Sequence, residues 1–291
     1  MRSLLFVPGD SARKLEKALG AGADVLLIDL EDSVSLTAKD EARGIAADFL
    51  RQARNEANRP RLFVRVNALS TGLTDADLDG VMSAAPEGIM LPKAVGGPDV
   101  SHLGAKLAVR EAEFGLPDGS TRIIAIGTEN ALGVFALGTF AGASHRLAGL
   151  AWGGEDLSAD IGAETNRDDS GAYTEPYRLA RSLTLLGATA AEVDAIDSVF
   201  TNFRDMEGLA AECREARRDG FSAKMAIHPA QVPVINEAFT PSAEALARAR
   251  AVIDAFAQNP GAGVVGVDGE MLDRPHLKRA ERLIARAGAR S

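Results

Sequence analysis

Two acidic residues stand where this sequence could do chemistry. Glu129 lies in Arg122-Ile-Ile-Ala-Ile-Gly-Thr-Glu-Asn-Ala-Leu-Gly-Val134. Asp156 lies in Leu150-Ala-Trp-Gly-Gly-Glu-Asp-Leu-Ser-Ala-Asp-Ile-Gly162. Each follows an apolar run that reads as a buried strand, at the point where the strand gives way to a loop. Taken singly, each also reads as an ordinary capping carboxylate at a helix start. Taken together, on neighbouring strands, they suit a hard divalent cation. Two carboxylates leave the other positions to water or substrate oxygens, which is the usual state of protein-bound Mg²⁺. No pair of histidines has the spacing of a zinc site. The single cysteine, Cys213, excludes an internal disulfide and a Cys-rich metal site, and it reads as a structural thiol.

Other polar residues fall at similar strand ends. They are Pro8-Gly9-Asp10, Asp29-Leu-Glu-Asp32, Arg65-Val-Asn67, Pro92-Lys93 and His228-Pro229. Arg65 has two readings. One is a buried salt bridge to Asp29, Glu31 or Asp32. The other is a forked clamp on a carboxylate or on a developing enolate oxygen. Lys93 is similar. Asp29, Glu31 and Asp32 are expected to hold Arg65, Lys93 and metal-bound water in place. Arg13 and Lys17, four residues apart, share a helix face. They are either a solvated pair or a hold for phosphate groups, with Gly9 allowing close backbone approach.

These residues need elements to position them. Strands are expected over Ser3–Val7, Val25–Leu30, Arg61–Val66, Gly88–Leu91, Arg122–Ile126, Leu147–Trp152, Glu192–Ile196 and Ala223–Ile227. Their near-continuous hydrophobicity suits strands buried on both faces. Helices are expected over Ser11–Leu19 with a Ser11 cap, Thr37–Asn55, Val100–Phe114, Ala131–Ala141, Glu175–Leu186 and Met206–Arg217. Eight alternating strands and helices predict an α/β fold, a (β/α)₈ TIM barrel over residues 1–235. Residues 236–291 read as a C-terminal extension with helices over Pro241–Phe256 and His276–Ala287 and a short strand-like piece between them. The extension is either a clamp on the barrel or a lid that carries Asp273.

Bulk properties narrow the class. The chain has 291 residues, 46% of them hydrophobic, ample for a large core. A net charge of −9 argues against nonspecific nucleic-acid binding, which needs a basic face. The N-terminal apolar run is short and is cut by Pro8, and no stretch approaches the roughly 20 apolar residues of a membrane helix. A soluble, cytoplasmic protein is expected.

Several motifs carry a resemblance. Leu5-Phe-Val-Pro-Gly-Asp10, Leu27-Ile-Asp-Leu-Glu-Asp32, Glu41-Ala-Arg43, Val64-Arg-Val-Asn67 and Met90-Leu-Pro-Lys93 occur in that order. They are followed by Thr128-Glu129, Trp152-Gly-Gly-Glu-Asp-Leu157, Ile227-His-Pro229 and Gly269-Glu-Met-Leu-Asp-Arg-Pro275. Together they resemble the citrate lyase β-subunit-like family, within the malyl-CoA lyase and HpcH/HpaI aldolase group. The resemblance implies a trimeric or hexameric barrel enzyme that binds Mg²⁺ and a coenzyme A thioester. It implies Glu129 and Asp156 as metal ligands and Arg65 as the substrate arginine. It implies Phe6, Arg13, Lys17, Ile227 and His228 around coenzyme A, and Asp273 as a lid aspartate reaching a neighbouring subunit's site. The implied reaction is carbon–carbon cleavage of a malyl-CoA- or citramalyl-CoA-like thioester to a 2-oxo acid and a shorter acyl-CoA, or the reverse condensation. Alternatives are a malyl-CoA thioesterase, a citrate lyase β subunit acting on an acyl carrier, and a non-catalytic assembly subunit.

Overall fold

The computed structural model describes residues 1–288. The chain divides into two compact units, Met1–Glu237 and residues from Ala238 onward.

The first unit is a closed barrel of eight parallel strands in sequence order, with β1 pairing β8 to close it. The strands are β1 Ser3–Pro8, β2 Val25–Asp29, β3 Arg61–Arg65, β4 Gly88–Leu91, β5 Arg122–Ile126, β6 Leu147–Ala151, β7 Asp194–Asp197 and β8 Ala223–Ala226. Nine helices follow or join them: α1 Ala12–Leu19, α2 Lys39–Ala53, α3 Thr74–Val81, α4 Gly97–Glu113, α5 Ala131–Ala136, α6 Glu155–Asp160, α7 Glu175–Ala190, α8 Met206–Asp219 and α9 Gln231–Phe239. This is a TIM-barrel architecture, and its strand ends lie within a residue or so of those expected from hydrophobicity. Ser11 precedes α1, but its side chain makes no capping hydrogen bond, so the expected cap is not made that way. The helices α3 and α6 carry no long apolar face and were not legible as elements; α9 was not expected either, although it buries Val232, Ile235 and Phe239 on one face.

The barrel interior obeys the period of two along each strand. Leu4, Val25, Leu27, Phe63, Met90, Ile124, Ile126, Ala151, Ile196, Ala223 and Met225 form one buried cluster inside it. The alternate residues, such as Leu26, Ile28, Val64, Ile89 and Leu150, are buried as well. Burial on both faces is why the strands read as continuous apolar runs.

An ionic cluster secures the approach to β5. Arg146 Nη1 donates to Glu111 Oε1 at 2.8 Å, and the backbone N–H groups of Gly119 and Thr121 donate to the same carboxylate at 2.9 and 2.8 Å. Burial opposes ionisation of Glu111, but Arg146 and these N–H groups outweigh it and bring its pKa down to about 2. A depressed carboxylate contributes stability above its unfolded pKa, and that contribution is lost as pH falls through the folded value. Glu111→Gln should therefore cost about 3 kcal/mol at pH 7. Urea denaturation should show that this deficit shrinks between about pH 4.5 and pH 2, because both proteins then carry a neutral side chain.

The second unit contains α10 Ala243–Gln258, a hairpin of β9 Val264–Val267 and β10 Glu270–Asp273, and α11 Arg274–Gly288. The expected strand-like piece is thus a two-stranded antiparallel ribbon. Asp268 and Gly269 at its tip both have positive φ, 51° and 80°, the backbone a tight hairpin turn requires. Ala249, Val252, Phe256, Val265, Val267, Leu272 and Ala280 form this unit's own small core. Among the described residues, no helix is long and apolar enough to cross a membrane.

Candidate active site

The sheet register builds the first half of the site. Asp29 and Arg65 are the last residues of β2 and β3 and face each other as register partners. Counting by two from Val25 and Leu27, and from Phe63, both side chains continue the interior face into the barrel mouth. They form a forked pair. Arg65 Nε donates to Asp29 Oδ1 and Nη2 to Oδ2, both at 2.7 Å. Arg65 Nη1 also lies 2.9 Å from Glu31 Oε2, close enough for an ion pair although the N–H is not aligned for a hydrogen bond. The guanidinium sits 4.7 Å over the ring of Phe6, from β1. The salt-bridge reading of Arg65 is met, and the side chain also faces the mouth. The fork uses two of its five N–H donors, so donors remain for a ligand.

The turn after β2 is itself held. Asp29 accepts from the N–H groups of Glu31 and Ser33 at 2.9 and 3.2 Å. Lys39, buried, donates to the carbonyls of Leu30 and Glu31 at 2.8 and 2.9 Å. Burial disfavours the charge on Asp29, but Arg65 and the Ser33 and Glu31 contacts overcome it and leave the pKa lowered. For Glu31 burial wins, and the pKa is raised. Gly9 also packs against the neighbouring strand end. Its N–H donates to the Asp29 carbonyl at 2.8 Å, and a Cβ there would stand 2.8 Å from the same oxygen. The backbone of β1 can come this close to the end of β2 only because residue 9 has no Cβ.

Lys93 joins this half to the carboxylate pair. Its backbone has a φ of 53°, unusual for a residue with a side chain. In that conformation its N–H donates to Glu129 Oε2 at 2.5 Å. Its ammonium pairs with Glu31, with Asp32 at 3.2 Å and with Asp156 at 3.3 Å. One residue thus touches both acids. Glu129 is 5% exposed, and Gly153 packs beneath it so closely that a Cβ would stand 2.8 Å from Glu129 Cγ. The capping alternative for Glu129 fails, because the neighbouring Asn130 caps α5 instead, accepting from the Gly133 N–H at 2.7 Å. Asp156 lies in the first turn of α6, beyond the strand end itself.

Glu129 and Asp156 line a cavity of about 800 Å³ with Lys93, Ser70, Asn130 and Leu132. Burial first, then the charges of Asp156 and Glu31, raise the Glu129 pKa to about 8. Among the described residues, no three Asp, Glu, His or Cys side chains gather in a way that could hold a metal. Glu129 and Asp156 offer hard carboxylate oxygens at this cavity. They fit Mg²⁺ with several water or ligand oxygens, and they do not fit zinc.

The other expected site residues are more dispersed. Arg13 and Lys17 are exposed on α1. Ile227 and His228 follow β8, and their N–H groups both donate to Gln231 Oε1, at 2.9 and 3.2 Å. Gln231, fully buried, is anchored in turn on the Phe200 carbonyl at 2.8 Å. Nothing in its sequence context marked it. His228 stacks on Phe203 with ring centroids 5.1 Å apart. Asp273 ends β10 in the second unit, its carboxylate 2.5 Å from His276 Nδ1, and this contact lowers its pKa.

A TIM barrel with acids and a forked arginine converging at the C-terminal mouth of its strands has the layout of a barrel enzyme. The chain belongs to the HpcH/HpaI aldolase/citrate lyase family, whose model matches residues 2–229. It is 35% identical over 290 residues to a citrate lyase subunit beta of Leuconostoc mesenteroides subsp. cremoris, covering 99% of this chain and 93% of that protein. It is 35% identical over 295 residues to a (3S)-malyl-CoA thioesterase of Cereibacter sphaeroides, covering 99% and 95%. A crystal structure of CitE from Mycobacterium tuberculosis, in complex with magnesium, acetoacetate and coenzyme A, matches with a TM-score of 0.74 at 34% identity, covering 99% of this chain and 98% of that one.

Proposed function

We propose that this protein is a Mg²⁺-dependent carbon–carbon lyase acting on a malyl-CoA- or citramalyl-CoA-like 3-hydroxyacyl thioester. The observation that carries this is the continuous set Phe6–Arg65–Glu31–Lys93, ending on Glu129 and Asp156 at one barrel mouth. Glu129 and Asp156 would hold the metal. When bound, Mg²⁺ supplies Lewis-acid stabilisation of the oxo-acid oxygens.

The chain's own residues supply the rest. In cleavage the substrate hydroxyl loses its proton and becomes the oxo group. The electrons of the breaking C–C bond pass into the thioester carbonyl as an enolate, and a proton returns to the acyl carbon. Arg65 faces that developing charge with its remaining N–H donors, kept in orientation by Asp29 and Glu31. Asp273 handles the proton at the acyl carbon. His276 favours the ionised form of Asp273, which suits the base of the condensation direction. Exposed Arg13 and Lys17 suit the phosphates of coenzyme A, with Phe6, Ile227 and His228 along its thiol arm. A homotrimer or hexamer in which Asp273 serves a neighbouring subunit fits the exposed apolar side chains of Leu132 and Phe135 on α5 and Leu179 and Leu186 on α7.

The equal identity to a malyl-CoA thioesterase supports a second reading on the same site, hydrolysis of the thioester. A panel of 3-hydroxyacyl-CoA thioesters, with products identified by mass, separates them. The lyase releases an oxo acid and a shorter acyl-CoA. Free coenzyme A with no oxo acid would replace the lyase reading with the thioesterase one. No turnover of any thioester with Mg²⁺ present would overturn both, and turnover only on an acyl carrier protein would point to a citrate lyase β role.

A further inference from the structure

A second polar network lies on the outer face of the barrel, and the proposed chemistry uses none of it. Lys224 on β8 is fully buried. It donates to Asp197 Oδ2 and to Glu212 Oε1, both at 2.8 Å. Asp197, the last residue of β7 and also fully buried, accepts from Trp152 Nε1 at 2.7 Å. Register sets this row. Asp197 faces Lys224 across β7 and β8, and Trp152 follows the Ala151–Ile196 pair of β6 and β7. Ala223, Ile196 and Ala151 belong to the interior cluster, so their neighbours Lys224, Asp197 and Trp152 project outward under the helices.

The network then closes on itself. Glu212 Oε2 lies 3.0 Å from Arg167 Nη2, and Arg167 stacks 3.7 Å over the ring of Tyr173. Tyr173 meets Trp152 edge-on, with centroids 5.0 Å apart. The ring therefore runs Trp152, Asp197, Lys224, Glu212, Arg167, Tyr173 and back to Trp152. Two of its members that touch each other, Trp152 and Tyr173, bracket in sequence the segment that carries Asp156. Gly154 lies in the fold of that bracket, where a Cβ would stand 3.2 Å from Trp152 and 3.6 Å from Tyr173. Gly153, next to it, packs under Glu129.

Burying so many charges is costly unless each is paired, and here each link is paired through its neighbours. A hydrophobic filling would serve packing alone at least as well. What the ring adds is directional fixation of the turn between β6 and α6. We propose that this ring is a clamp that sets the position of the Gly153–Asp160 segment, so that Arg167, Glu212, Lys224 and Asp197 are positioning residues for Asp156 and for the floor beneath Glu129. Its consequence for metal affinity rests on the reading of those two acids as the Mg²⁺ pair. Its consequence for the segment does not.

Arg167→Ala tests the clamp at its least buried ionic link. Hydrogen exchange of the metal-free protein, followed by mass spectrometry, should show the 153–160 amides exchanging about tenfold faster, with the β9–β10 hairpin unchanged. Mg²⁺ titration calorimetry should show a dissociation constant raised about tenfold to a hundredfold. Arg167→Lys should recover part of both effects, and Glu212→Gln should reproduce them from the other side of the link. Unchanged exchange over 153–160 in both Arg167→Ala and Glu212→Gln would overturn the clamp. So would a lowered thermal midpoint in these variants without faster exchange over 153–160, which would reduce the ring to packing alone. A wild type that binds no Mg²⁺ would instead remove the metal reading, and the exchange result would still decide the clamp.

Discussion

Glu129→Gln should reduce Mg²⁺-dependent turnover by about 10³-fold or more, since several kcal/mol of charge stabilisation leave with the ion. The substitution keeps the volume and keeps an acceptor for the Lys93 N–H, so loss of activity would report lost metal binding with the local backbone preserved. The same change should stabilise the metal-free protein. Burial and the charges of Asp156 and Glu31 raise the Glu129 pKa to about 8. A carboxyl raised in this way binds its proton more tightly folded than unfolded. Stability is therefore lost as pH rises from the ordinary carboxylate range toward 8. Glutamine escapes that loss. Urea denaturation without metal should show the variant gaining on wild type as pH rises, and the margin should level off above about pH 8. Mg²⁺ affinity of wild type should follow the opposite course and increase up to the same pH, because binding needs the deprotonated ligand. An unchanged turnover rate would remove Glu129 as a ligand.

Arg65→Lys should cost about 10²–10³-fold in kcat, the range seen when one donor to a developing oxyanion is removed. Positive charge is retained, so the effect isolates geometry. A lysine cannot fork onto both oxygens of Asp29, reach Glu31 and lie flat over Phe6 together. Arg65→Ala should instead damage the fold, by about 3–5 kcal/mol, because it strands the buried Asp29 carboxylate. The pair of variants separates the roles. Full activity in Arg65→Lys would exclude charge stabilisation by a positioned guanidinium. Full thermal stability in Arg65→Ala would show that Asp29 finds another partner.

Much of this architecture was legible because the barrel strands are buried on both faces. Runs such as Val25-Leu-Leu-Ile28 and Arg122-Ile-Ile-Ala-Ile126 leave little alternative to a central strand, and their ends mark the mouth. The acids and arginine at those ends were legible for the same reason. The α3 helix was not, since Thr74–Val81 is short and carries three aspartates. Ser11 precedes a helix without capping it through its side chain, and Asn130 caps α5 although Glu129 beside it was the candidate. Local sequence allows either residue to cap. The choice falls to the packing of Glu129 against Gly153 and the Lys93 N–H.

The sequence by itself determined the burial of each strand on both faces, the alternation with helices and the residue types at each strand end. These are properties of one segment at a time. Only the tertiary structure decided which of those residues meet. Asp29 faces Arg65, and Asp197 faces Lys224, because of inter-strand register. A slip of one residue would send each side chain to the opposite face. Lys93 joins both acids only because its backbone takes a left-handed turn beside β5. Those partnerships span 27 to 63 residues of chain (Asp197 to Lys224, Lys93 to Asp156), and nothing local in the sequence encodes them.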